Sequence, residues 1–337
     1  MKNILVTGGA GFIGSNFVRM VLSDYADHFV LNLDKLTYAG NLENLSGFMD
    51  NLNHKFVKGD ICDAALVESL IKEYKIDAIV NFAAESHVDR SLVEPGLFID
   101  TNVTGTLTLL KAALDNNISK FLQVSTDEVY GSLGETGMFT EETPISPNSP
   151  YSASKAAADH LVCAFGHSWG LKYNITRCSN NYGEYQFPEK MIPLMINNAL
   201  AEKHLPVYGD GMHVRDWLYV YDHCTAIWKV LMDASPSEIY NVGGNNEKAN
   251  LEVVGLILDR LSKNRSLIEH VTDRPGHDRR YAIDSAKIMK ELGWKPSVTF
   301  EEGIVMTIDW YLANNIWLDN VVSGSYQKYY ESMYSNR

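Results

Sequence analysis

Two carboxylates stand side by side in Ser125-Thr126-Asp127-Glu128-Val129-Tyr130-Gly131, directly after the apolar run Lys120-Phe121-Leu122-Gln123-Val124. Carboxyl groups in unlike surroundings can separate into an acid and a base. The run before them has strand length, and open parallel α/β sheets bind ligands outside the carboxyl ends of their strands. Taken alone, the stretch reads as a loop of solvated acids, so its neighbours must decide. A second reactive pair is Tyr151 and Lys155, which helical spacing would place on one face. An ammonium beside a phenol favours phenolate and lowers the phenol pKa. Tyr151 is therefore expected to take the proton of an alcohol.

The elements that must position these groups begin at the amino end. Ile4-Leu5-Val6-Thr7 is a short buried-strand pattern, and Ser15 to Leu22 is helical. Between them lies Gly8-Gly9-Ala10-Gly11-Phe12-Ile13-Gly14, a G-x-x-G-x-x-G loop. Gly8 allows the tight turn, Gly11 lets backbone approach a pyrophosphate, and Gly14 lets helix pack closely on strand. The helix N-terminus then offers N–H groups to the phosphates. A second strand, Phe29 to Leu33, ends at Asp34, twenty residues beyond Gly14. An acid there suits the adenosine ribose hydroxyls and repels a 2′-phosphate, which favours NAD over NADP.

Strand and helix patterns then alternate. His54–Ile61 is a strand and turn whose Asp60 is expected near the adenine position, Ala64–Tyr74 is helical, and Ala78–Ala84 is a strand. That strand ends in Glu85-Ser86-His87-Val88-Asp89, where His87 reads as a hydrogen-bonded loop residue. Asn102–Asn116 is an apolar-faced helix, Tyr151–Trp169 a second, and Lys172–Arg177 a further strand. Such alternation predicts an α/β fold with a Rossmann-type doubly wound parallel sheet. Beyond Tyr182 the alternation fades. The domain expectation is a dinucleotide-binding part over 1–182, with returning segments about 214–245, and a smaller mixed C-terminal substrate-binding domain over 183–337. Lys190, Arg215, Arg274, Arg279 and Arg280 concentrate cations there, which suits a substrate diphosphate.

Lys and Arg total 29 against 42 Asp and Glu, a formal net charge of −13. That balance argues against a nucleic-acid partner, because phosphate backbones need a basic surface. Cys62, Cys163, Cys178 and Cys224 show no paired or metal-ligand spacing, so no metal is expected and the thiols read as reduced. No apolar run is long enough to cross a membrane, and a cytoplasmic protein is expected.

Together the glycine loop and Tyr151-x-x-x-Lys155 resemble the extended short-chain dehydrogenase/reductase family. Ser125–Gly131, Leu33-Asp34-Lys35-Leu36-Thr37-Tyr38-Ala39-Gly40-Asn41 and Asp273-Arg274-Pro275-Gly276-His277-Asp278 narrow the likeness to its nucleotide-sugar 4,6-dehydratases. The likeness covers almost the whole chain. It implies a dTDP-glucose substrate, bound NAD and a redox-neutral sequence: oxidation at C4, loss of water across C5 and C6, and reduction at C6, as in dTDP-L-rhamnose-type deoxysugar synthesis. Catalytic roles would fall on Thr126, Asp127, Glu128, Tyr151 and Lys155. Thr126 and Tyr151 would handle the C4 oxygen, Glu128 the C5 proton and Asp127 the C6 hydroxyl.

The resemblance also implies a cofactor set: Gly8, Gly11, Phe12, Ile13, Gly14, Asp34, Lys35, Leu36, Thr37, Asp60, Ile61, Ala83, Ala84, Thr101, Tyr151, Lys155 and Asn181. The implied sugar-nucleotide set is Ser86, Thr126, Asn180, Lys190, Met191, Pro206, Tyr208, Arg215, Asn250, Arg274 and His277. It further implies a homodimer in which Asn102–Asn116 and Tyr151–Trp169 of each chain form a four-helix bundle. The residues themselves leave alternatives open. These are another nucleotide-sugar 4,6-dehydratase, a UDP-sugar 4-epimerase or decarboxylase on the same scaffold, and a non-catalytic NAD-sensing regulator.

Overall fold

The structure is a computed structural model that describes residues 1–274 and 276–322. Its strands are β1 (Asn3–Thr7), β2 (Phe29–Asp34), β3 (His54–Lys58), β4 (Ala78–Asn81), β5 (Lys120–Thr126), β6 (Tyr173–Cys178), β7 (Asn180–Tyr182), β8 (Leu205–Tyr208), β9 (Val214–Tyr219), β10 (Glu238–Val242), β11 (Glu247–Ala249) and β12 (Ile268–Val271). Seven of them form one parallel sheet in the order β10-β6-β5-β4-β1-β2-β3. Parallel sheets are covered on both faces, which is why these strands read as unbroken apolar runs.

Alternation within β1 sends Ile4 and Val6 into one layer and Leu5 into the other. The first layer packs the Phe12–Asp24 and Val220–Asp233 helices on the sheet, through Phe17, Val21, Ile227 and Trp228. The opposite layer packs the Ala64–Glu73, Thr106–Asp115 and Pro150–Trp169 helices, through Val67, Leu109 and Val162. Each of these fully buried side chains contributes about 1.5–3 kcal/mol. A third core, around Tyr182, Ile196, Trp217, Val254 and Phe300, lies under β7, β9 and the C-terminal helices. There β11-β9-β7 and β12-β8 form two small sheets.

Strand order reverses between β1 and β4, since β1 lies between β2 and β4. A crevice at the carboxyl ends of strands forms at such a switch point. The expected doubly wound sheet is present. The Phe12–Asp24 helix starts earlier than the sequence suggested. Short elements escaped the sequence reading: β7, β11, β12 and the helices Val88–Val93, Pro95–Phe98, Ala286–Leu292 and Asn315–Val321. The helix expected from Asn102 begins instead as π-helical turns over Ile99–Gly105 and becomes α-helical at Thr106. Hydrophobic periodicity does not distinguish these turns over so few residues. Pro275 and residues 323–337 of the expected C-terminal domain lie outside the described residues.

Gly14 brings the first helix directly against the backbone of the cofactor loop. A Cβ there would stand 2.3 Å from the Gly8 carbonyl oxygen and 2.9 Å from the Gly9 Cα. Backbone atoms cannot yield as a side chain can. Gly14→Ala is expected to destabilise by about 1–3 kcal/mol through overpacking, and to lower NAD retention. Thermal unfolding and the nicotinamide content of purified protein measure both, and an unchanged melting temperature would contradict this packing.

Candidate active site

β5 ends at Thr126, and a single 3₁₀ turn, Asp127–Tyr130, follows. Thr126 caps that turn: its hydroxyl accepts the Glu128 N–H at 3.2 Å. The chain then reverses at Gly131, with φ +87°. A Cβ there would sit 2.3 Å from the Ser146 carbonyl oxygen. Space and backbone angle together demand glycine at that position. The acids therefore lie in a short, capped turn at the strand end, and not in a solvated loop. Asp127 is 2% exposed.

The Pro150–Trp169 helix faces this turn. Ser149 caps it, and a reciprocal Ser149–Ser152 box with Pro150 at the first helical position fixes its start. Tyr151 and Lys155 are thereby buried on one face. The Tyr151 ring packs edge-on to Phe98 at 6.3 Å, and the Thr126 hydroxyl donates to Asp127 Oδ1 at 3.3 Å. The Lys155 ammonium donates to the Val124 carbonyl oxygen at 2.7 Å. The wide turns at Ile99–Gly105 bring Asn102 against this helix, where its amide donates to Ser154 Oγ at 2.8 Å.

One cavity runs from the glycine loop to this turn. It is lined by Gly8, Gly11, Phe12, Ile13, Gly14, Asp34, Lys35, Thr37, Asp60, Ile61, Ala83, Ala84, Thr101, Tyr151, Lys155 and Asn181, and also by Thr126, Asp127 and Glu128. Of the predicted cofactor set, only Leu36 does not line it. Its side chain packs on the core, and its N–H donates to Asp34 Oδ1 at 2.7 Å. Asp34 accepts the Ala10 N–H through Oδ2 at 2.9 Å. Its carboxylate thus ties the glycine loop to the end of β2 while facing the cavity. Asp60 pairs with Lys35 at 2.7 Å.

A second cavity meets the first. Asn180, Lys190, Met191, Pro206, Tyr208, Arg215, Asn250, Arg274 and His277 line it, as expected for the sugar-nucleotide set, whereas Ser86 and Thr126 line the first. Glu128, Asn180, Glu189 and Lys190 line both cavities, so the acid turn stands at their junction. Arg279 and Arg280 do not line either one. Arg279 makes a two-toothed surface pair with Asp210 at 2.7 and 2.8 Å, and Arg280 binds Glu247 at 2.9 Å. The cationic cluster therefore reduces to Lys190, Arg215 and Arg274.

The electrostatics separate the acids. Burial, and then the charge of Glu128, push the Asp127 pKa well above the usual carboxylate range. Burial also raises Glu128, but Arg274, Lys190 and Arg215 oppose it. Asp127 is thus the group that keeps a proton, and Glu128 the better base. The expectation for Tyr151 needs correction. Burial, and then Glu128, hold its pKa well above the ordinary phenol value. Lys155 is itself lowered by burial, and its ammonium is engaged with a carbonyl.

The sequence reading missed several lining groups. Asp89 accepts from Tyr208 at 2.9 Å and from Arg274 at 3.2 Å, and so fixes two substrate-cavity residues. Glu189 binds Tyr38 at 3.0 Å and Arg90 at 3.3 Å across the junction. The charge of Asp89 and Glu189 was visible, but only the fold shows what they meet. His87 is buried on the second cavity, and burial and Lys190 push it down to about 3, so it is neutral. His213, Asp273 and His277 also converge: their donor atoms lie within 4.8 Å, and the two rings stack at 3.8 Å. Arg274, Arg215 and Arg279 surround them, a field that repels a cation. The cluster reads as a clamp on the loop that carries Arg274.

Comparison with known proteins places this geometry. The family model described as GDP-mannose 4,6 dehydratase matches residues 5–307. The chain is 58% identical to the dTDP-glucose 4,6-dehydratase of Xanthomonas campestris pv. campestris, over 97% of this chain and 98% of that one. It superposes on the crystal structure of dTDP-glucose 4,6-dehydratase from Bacillus anthracis in complex with NAD. The TM-score is 0.90 at 53% identity, covering 95% of this chain and 100% of that one. The Streptomyces venezuelae enzyme of the same name, with NAD and TYD bound, gives a TM-score of 0.92 at 48% identity, over 95% and 99%. The chain belongs to the GDP-mannose 4,6 dehydratase family, in the branch of the dTDP-glucose 4,6-dehydratases.

Proposed function

We propose that the protein carries out the NAD-dependent dehydration of dTDP-glucose to dTDP-4-keto-6-deoxyglucose, in dTDP-L-rhamnose-type deoxysugar synthesis. The observation that carries this reading is the Asp127–Glu128 turn beside Tyr151, with Asp127 buried and Glu128 half-buried, at the junction of a glycine-loop cavity and a cation-lined one. The first cavity suits NAD. Gly8 and Gly14 leave no room for a Cβ, Gly11 heads a helix of thirteen residues, and the Asp34 carboxylate faces the ribose position. Bound NAD supplies reversible storage of one hydride.

The chain's own groups move the protons. Tyr151 takes the C4 hydroxyl proton, and Thr126 hydrogen-bonds the same oxygen. A ketone at C4 acidifies the C5 hydrogen, which Glu128 removes. Asp127 protonates the departing C6 hydroxyl. Burial holds the Tyr151 phenol high in this structure, and the positive charge of an oxidised nicotinamide held in the first cavity would lower it toward the operating pH. Lys190, Arg215 and Arg274 hold the diphosphate, and Asp89 and Tyr208 keep Arg274 aimed. A 4-epimerase needs no acid and base at C5 and C6, so it leaves the Asp127–Glu128 turn without a use. We also read residues 1–182, with 214–245, as the NAD-binding part, and 183–337 as mainly the sugar-nucleotide part. The described helices include none long and apolar enough to cross a membrane, in keeping with a cytoplasmic enzyme.

A homodimer is part of this proposal, formed by the Thr106–Asp115 and Pro150–Trp169 helices of two chains. Support comes from Leu97, Ile99 and Trp169, which are exposed apolar groups near those helices. Light scattering is expected to give a two-chain mass, and a single-chain mass refutes this arrangement.

Incubation with dTDP-glucose should yield the 4-keto-6-deoxy sugar, recognised by its alkaline absorbance. Turnover of UDP-galactose without that product would instead favour the epimerase. Glu128→Gln is expected to lower product formation by about 10²–10⁴-fold while the absorbance of reduced nicotinamide still rises. Product formed at the wild-type rate would remove Glu128 from its role.

The pH profile of kcat/KM should be a bell. Glu128 works ionised with a raised pKa, so activity falls as pH drops through that value. Asp127 works protonated with its pKa raised further, so activity falls as pH rises through it. Asp127→Asn should abolish the alkaline limb assigned to Asp127. An unchanged limb would assign it to another group.

A further inference from the structure

We propose that Asp159, Arg177, Tyr130 and Asn241 form a positioning chain that holds the Asp127–Tyr130 turn in register with the Pro150–Trp169 helix, and so serves the elimination step more than the first hydride step. The proposal rests on the reaction argued above. None of the four residues lines either cavity. They act through the groups that do.

The chain starts on the helix. Asp159 follows Lys155 by four residues and Tyr151 by eight, so all three share a face. Its Oδ2 accepts Arg177 Nε at 3.0 Å, and the two side chains are 1% and 4% exposed. Breaking such a pair leaves an uncompensated buried charge, so Arg177 is held firmly on β6. From there an Arg177 terminal nitrogen donates to the Tyr130 hydroxyl at 3.0 Å. That hydroxyl donates to Asn241 Oδ1 at 2.8 Å. Asn241, on β10, donates its amide to the Phe139 carbonyl oxygen at 3.0 Å and its N–H to Glu141 at 2.8 Å. The Tyr130 ring also stacks on Phe139 at 5.0 Å, with Arg177 5.0 Å from its centroid.

Tyr130 is the last residue of the acid turn, two positions after Glu128. A phenylalanine would fill the same space and keep the ring stack. The hydroxyl instead joins the turn directly to a β6 residue and a β10 residue, and through Arg177 to Asp159 on the helix. Buried polar networks of this kind give a core one arrangement, at a cost in desolvation. Thr126 is held independently, because it closes β5 and pairs with Cys178 in register. Tyr151 and Lys155 are held by their own helix. Loosening Tyr130 should therefore displace Asp127 and Glu128 before it disturbs the groups at C4.

The test is Tyr130→Phe in the NAD-loaded enzyme. Stopped-flow absorbance of reduced nicotinamide should show the first hydride step within about twofold of wild type, with KM for dTDP-glucose also little changed. Elimination should slow by about ten- to a hundredfold, the cost of a misplaced group. Reduced nicotinamide then accumulates, and substrate deuterated at C5 shows an isotope effect on kcat. Equal slowing of both steps, a rise in KM alone, or no change overturns the positioning role. Should that variant fail to fold, Asn241→Ser, which releases the hydroxyl but leaves Asp159–Arg177 intact, must give the same pattern. An active wild type with an unselective variant refutes only this proposal. A wild type that makes no 4-keto-6-deoxy product refutes the reaction and this role together.

Discussion

Two neighbouring carboxyl groups cannot both be charged at low cost where water is excluded. The rest of the structure depends on this constraint. Asp127 is buried and Glu128 half-buried beside it at the end of β5, so the site must give them different surroundings. Three cations face Glu128 from the substrate side. Asp127 instead meets Glu128 and Asp216, two further carboxylates. One acid is driven to hold its proton and the other is eased toward giving its proton up. A pair that would be redundant on a surface becomes an acid and a base.

The same turn joins two binding problems. A cofactor that must both accept and return a hydride has to remain beside the sugar through the whole reaction. The glycine loop, the helix behind it and Asp34 make a lasting seat for it. In the proposed reaction Lys190, Arg215 and Arg274, which line the second cavity, would seat the other ligand through its phosphates, away from the reacting carbons. Remote binding of this kind would, on the proposed reaction, hold C4, C5 and C6 over Thr126, Glu128 and Asp127 without adding bulk at the reacting centre. The cations proposed to hold the diphosphate are the same ones that oppose the rise of the Glu128 pKa, so recognition and base strength would share residues.

Local chemistry made much of this legible in advance. The glycines at 8, 11 and 14 permit few other uses when a strand precedes them and a helix follows. Tyr151 and Lys155 lie one helical turn apart, a relation that only local geometry controls. Strand and helix periods gave the parallel sheet, because strands buried on both faces must be apolar throughout. Legibility failed where a group's partner is far along the chain. Charge alone grouped Arg279 and Arg280 with Arg215 and Arg274, although only the latter two entered the expected sugar-nucleotide set; Asp210 and Glu247 hold the first two, and the cavity takes the others. Asp89 and Glu189 carried no motif at all. The π-helical turns at Ile99–Gly105 left no trace in the hydrophobic period.

The Asp127–Glu128 pair, the cofactor loop and the Tyr151–Lys155 spacing were determined by the sequence itself, because each depends on residues within a turn or two of one another. Tertiary structure alone decided what each group feels. It buried Asp127 against other carboxylates and set cations before Glu128. It turned the Lys155 ammonium to a carbonyl and left the Tyr151 phenol high. Charge and proton affinity follow from desolvation and from neighbours brought together over long separations, and neither can be read from the order of residues along the chain.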